Sequence, residues 1–119
     1  MVKGGWILDK CILFIFVIYE RKIENINKVI QHWIDSADKN RITMGHLIET
    51  KDFSWALFLR HLVIEKLLKA LYVKQLERHA IFSHDLLRLA RKTDIELTVE
   101  QEEWLDKITT FNLNARYDN

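Results

Sequence analysis

A chain of 119 residues is long enough for one domain with one core, and 49% hydrophobic with 29% charged residues is the balance of a folded chain, not a disordered one. Eighteen basic residues against seventeen acidic ones give a formal charge of +1, which excludes the strongly basic class of nucleic-acid and membrane-surface binders while leaving a local basic patch open. Cys11 is the single cysteine, so an intrachain disulfide and a cysteine-rich metal site are excluded, and a reducing, cytoplasmic setting fits.

In chain order, the first feature is Cys11 to Tyr19 (CILFIFVIY), nine residues without a charge. A membrane helix needs about twenty. Asp9 and Lys10 close the run on one side, Glu20, Arg21 and Lys22 on the other, and no small-residue cleavage site follows. Residues 1–22 are therefore expected to form an apolar N-terminal extension, buried or covered by a partner and not embedded in a membrane. Its β-branched and aromatic content leaves helix and strand both open. Residues 23–119 are expected to form the folded domain.

That domain has no proline and only Gly45 among its glycines, so long helices joined by short turns are expected. The first runs from about Ile23 to Ile48, with Ile26, Ile30, Trp33, Ile34, Ala37, Met44 and Leu47 on one stripe and Gly45 weakening its last turn. Lys51 and Asp52 make the turn, and Asp52 is a candidate cap for a second helix from about Phe53 to Arg78. Ser83 is the candidate cap of a short third helix over about His84 to Lys92. Thr98 and Gln101 have the spacing of a capping box, which opens a fourth helix running toward Tyr117. The fold class is all-α, an antiparallel up-and-down bundle of four main helices. Trp33, Ala37, Ala56, Ile64, Leu67, Leu68, Leu71, Leu86, Leu89, Trp104, Ile108 and Phe111 are expected to be largely buried.

Five residues stand out as carriers of chemistry. Glu65 and Lys69 are four apart with the acid first, the favoured order for a helical ion pair. They read as a surface pair beside a leucine core, or, with Lys66, as a small cationic patch for a phosphate or an acidic partner. His84 at a helix start reads either as a capping-region side chain or as an anion contact beside outward-pointing amides. His61 and Glu65 also share a face, but two ligands do not make a metal site, and no metal or cofactor is expected. There is no glycine-rich phosphate loop, and Cys11 lies in an apolar run that leaves it inert.

Taken together, four pieces resemble one family. Trp33-x3-Ala37-Asp38, then Ala56 with Glu65-Lys66-Leu67-Leu68-Lys69-Ala70-Leu71, then Ser83-His84-Asp85-Leu86, then Asn114-Ala115-Arg116-Tyr117-Asp118 are similar, in order, to the helices of HEPN domains (higher eukaryotes and prokaryotes nucleotide-binding). The similarity covers about residues 29 to 119. It implies a helical bundle that pairs as a homodimer and associates with a minimal nucleotidyltransferase, often as a toxin–antitoxin pair. It also implies a nucleotide or phosphate site in a cleft formed by Lys66, Lys69, His84 and Arg116.

Many members of that family are metal-independent ribonucleases marked by an arginine and, four to six residues later, a histidine. Arg116 is followed here only by Tyr117, Asp118 and Asn119, and Asp118 stands where the family has proline. Arg41 with His46 and Arg78 with His84 have the spacing but lie in the wrong helices, and both read as chance matches. The expectation is thus a binding module without turnover. One alternative is a ribonuclease toxin in which Arg116 is catalytic and its histidine is lost by truncation or supplied differently. The other is a helical scaffold with no chemistry.

Overall fold

The computed structural model describes the backbone over residues 25–117 and the side chains over 25–112. Within these residues the chain is all-α, with no strand, and forms a bundle of four helices: α1 (Ile26–Glu49), α2 (Phe53–Leu76), α3 (Leu86–Arg91) and α4 (Val99–Tyr117). The apolar extension over residues 1–22 lies outside the described residues, as do its Ile12, Phe14, Phe16 and Ile18. No helix among the described residues is long and apolar enough to cross a membrane.

Two 24-residue helices, α1 and α2, form the long hairpin of the bundle. At 1.5 Å per residue each is about 36 Å long. The turn between them is a Schellman motif built without glycine. Lys51 takes the left-handed conformation at φ 63°, its amide donates to Ile48 O, and the Asp52 amide donates to Leu47 O. Asp52 occupies the cap position of α2, but its carboxylate accepts from the Thr50 hydroxyl at 2.6 Å and not from a helix amide. The second helix ends at Leu76, two residues before the expected Arg78, because Glu77 also turns left-handed, at φ 52°.

The short third helix begins at Leu86, two residues later than expected, and its cap is Asp85 and not Ser83. Asp85 Oδ1 accepts from the Arg88 amide, while the Ser83 hydroxyl accepts from the Asp85 amide. The capping box of α4 forms as its spacing requires: the Gln101 amide donates to Thr98 Oγ1 at 3.1 Å and the Thr98 amide to Gln101 Oε1 at 3.0 Å.

The core centres on Leu68, Leu86, Leu89 and Ala90, with Ile64, Ile81, Leu97, Leu105 and Ile108 packed around it. Ala37 on α1 and Ala56, Ala70, Tyr72 and Val73 on α2 are also buried. Of the other residues expected in the core, Trp33, Ile64, Leu71 and Ile108 are only half-buried. Leu67, Trp104 and Phe111 are exposed and correct the expectation. Leu67 is two residues, about 200° of helix, from Glu65, which faces inward. On α4 the stripe facing the bundle is Leu105, Ile108, Thr109 and Asn112, so Trp104 and Phe111, seven apart, share a face that points away from it. Two polar residues on the inner stripe disguised it: Thr109 Oγ1 accepts the Leu86 amide at 3.1 Å and so joins α4 to the start of α3.

Candidate functional site

Helical spacing places His61, Glu65 and Lys69 in register on one face of α2, and all three are buried. A carboxylate here loses its hydration and must be matched. Glu65 is matched from two directions. Its Oε2 accepts from Lys69 Nζ at 3.1 Å, and its Oε1 accepts from Nδ1 of His84 at 2.8 Å. The Lys69 ammonium also stands 5.3 Å from the ring centre of Trp33 on α1, so it lies between a carboxylate and an aromatic face. His61 Nδ1 is 3.8 Å from Glu65 Oε1, and His61 Nε2–H donates to the backbone carbonyl of His84 at 2.8 Å.

Position 84 is thus fastened twice, by its backbone to His61 and by its ring to Glu65. A carboxylate only accepts, so Nδ1 of His84 carries the hydrogen in that bond. The nitrogen left for another molecule is Nε2. The His84 side chain is 44% exposed although the carboxylate that orients it is 5% exposed. A buried acid that fixes the tautomer and aim of a half-exposed imidazole gives an atom that can accept a proton or a hydrogen bond when neutral, and donate one to an anion when protonated.

Of the four residues singled out in the sequence, Lys69 and His84 meet on the Glu65 carboxylate, and Lys66 does not join them. His84 is at the surface of the α2–α3 loop. Lys69 is buried in the ion pair with Glu65, which is therefore not a surface pair: the acid and its lysine lie between α1 and the α2–α3 loop. Lys66 is half-buried and turns to α1, where Nζ donates to Ser36 Oγ at 2.6 Å and to Asn40 Oδ1 at 2.5 Å. Arg116 sits on the backbone of α4 two turns beyond Thr109, and its side chain lies outside the described residues. Two of the amides expected to receive an anion at the third helix are already used, Leu86 N by Thr109 and Arg88 N by Asp85. Of the two arginine–histidine spacings, Arg41 pairs with Asp38 at 2.8 Å on the outside of α1, whereas Arg78 and His84 share the α2–α3 loop.

Sequence reasoning gave no site role to Trp33, Ser36 or Asn40. Trp33 and Asn40 are seven apart on α1, with Ser36 and the buried Ala37 between them, so two polar residues on the stripe of an otherwise buried face were the available signal. It also missed Phe82, whose ring lies 5.6 Å from that of His84 in an edge-to-face arrangement. Among the described residues no group of three or more His, Cys, Asp or Glu side chains could hold a metal ion.

The family model of the HEPN domain matches residues 30–119. Neither a curated protein nor a solved structure gives a significant match. The matched span starts within α1 and includes all of α2, α3 and α4, together with the Glu65–Lys69–His84 cluster. On that match, over three quarters of its length, the chain belongs to the HEPN domain family.

Proposed function

We propose that this HEPN module binds a nucleotide, or a nucleotide of an RNA, through its phosphate and ribose at His84, without turning it over. The observation that carries this is the His84 imidazole itself, half-exposed yet held from behind by the buried Glu65 carboxylate at 2.8 Å. A ring oriented in advance loses little freedom when it meets a ligand. In this assignment His84 and Arg116 are the contact residues. Lys66 and Lys69 are not contact residues in this assignment, since both ammonium groups are already hydrogen-bonded inside the bundle. The module acts as a homodimer in the cytoplasm beside a minimal nucleotidyltransferase, in the manner of a toxin–antitoxin pair. Exposed Trp104 and Phe111 on one face of α4, with Ile34, Ile42 and Ile48 on α1, supply apolar surface for such association. Calorimetric titration with AMP and with a short single-stranded RNA tests the binding: His84→Ala is expected to weaken both, and nuclease-free protein is expected to leave the RNA intact.

One observation favours the ribonuclease reading as the second. An imidazole whose Nδ1–H is fixed by a carboxylate is the arrangement that takes a proton from a hydroxyl, here a ribose 2′-hydroxyl, at Nε2. RNA cleavage that disappears in both His84→Ala and Arg116→Ala would establish it over binding alone.

A further inference from the structure

Phe82 has no place in the core. Its neighbours alternate along the segment before α3: Ile81 packs against the core, Phe82 is 92% exposed, Ser83 is buried, and His84 returns to the surface. The Phe82 and His84 rings meet at 5.6 Å between centroids and 66° between planes. An edge-to-face pair occupies at most one face of the phenyl ring, and the exposure of Phe82 shows that the other is open. The backbone two residues on is held at His84 through both its carbonyl and its ring.

We propose that Phe82 is a stacking platform for an unpaired nucleobase whose ribose or phosphate meets His84 Nε2. The proposal rests on the nucleotide-binding reading above and adds the base as the recognised part. A flat apolar face next to a hydrogen-bonding imidazole matches the two ends of one nucleotide, the base and the sugar phosphate. Phosphate alone would not need the phenyl ring.

The test is a titration of the whole chain with ribose 5-phosphate, AMP, single-stranded hexa-adenylate and the same strand paired with hexa-uridylate. It is run on wild type, Phe82→Leu and Phe82→Tyr. Wild type is expected to bind AMP at least about tenfold more tightly than ribose 5-phosphate, the scale of one stacked base. Phe82→Leu is expected to lose that margin, and Phe82→Tyr to keep it. Tighter binding of hexa-adenylate than of AMP identifies a strand as the source of the base, and equal binding identifies a free nucleotide. The exposed ring leaves the fold intact in both variants, which an unchanged melting temperature checks. AMP no better than ribose 5-phosphate, equal binding by wild type and Phe82→Leu, or a duplex bound as tightly as the single strand overturns the stacking role and leaves the nucleotide reading standing. No binding of AMP or hexa-adenylate by wild type overturns both.

Discussion

Glu65 decides how the residues around it can be changed. Its carboxylate is the counter-charge of buried Lys69 and the orienting acceptor of His84. Removing one member of a buried pair leaves a charge without a partner, a loss of about 3–5 kcal/mol. Glu65→Leu and Lys69→Met are each expected to destabilise the fold by that amount in urea unfolding. The double variant is expected to recover most of the loss, because two apolar side chains of similar volume replace both charges. It would still lack the acceptor for His84, so its nucleotide affinity should fall while its stability returns. That split separates the structural role of the pair from the positioning role of Glu65. The i,i+4 spacing of Glu65 and Lys69 made the pair legible in the sequence. Its burial was not, since the residues that cover it, Trp33 and His84, come from α1 and from the α2–α3 loop, and no local pattern in α2 announces them. His84 was singled out for a helix N-terminus that proved to start two residues later. What orients it in the structure is Glu65.

At the scale of elements, helix existence follows from the apolar period, while helix ends depend on single residues. The Thr98–Gln101 box was legible because both partners lie within four residues. The turn at Lys51 and Asp52 was placed as well, but the end at Glu77 was not, because a side chain that ordinarily avoids positive φ occupies the position where glycine usually signals a stop. Lys51→Gly is expected to stabilise the hairpin by about 0.5–1 kcal/mol, the left-handed strain relieved less the added freedom of the unfolded chain. Gly45, inside α1, calls for the opposite change. A Cβ there meets no atom within 4 Å, so Gly45→Ala is expected to gain about 0.5–1 kcal/mol from helix propensity alone. Thermal melts of the two single variants check both signs. Leu89 gives the contrast: it is fully enclosed between α3 and the core of α2 and α4, and Leu89→Ala is expected to cost about 2–5 kcal/mol.

Across the whole molecule, a helical hairpin carries a short helix and a fourth long one, and the α2–α3 loop is fastened to the middle of α2. The bundle was legible because the sequence lacks breakers and repeats its apolar positions at helical spacing. The outer face of α4 was not: Trp104 and Phe111 fit a core stripe as well as Leu105 and Ile108 do, and only the packing of Thr109 against Leu86 decides between them. That exposed face leads to an expected dimer at micromolar concentration in sedimentation equilibrium, weakened by Trp104→Lys. The central claim, that Glu65 aims His84 at a nucleotide, has its most direct test in calorimetry of AMP binding to wild type and to His84→Ala, with both melting temperatures recorded. Saturable binding to wild type is expected, with at least about tenfold weaker binding to the variant, the scale of one hydrogen bond to a charged group, while the variant still melts cooperatively but at a lower temperature, because Glu65 loses one of its two partners. Equal affinity in the two proteins, or none in wild type, would contradict it.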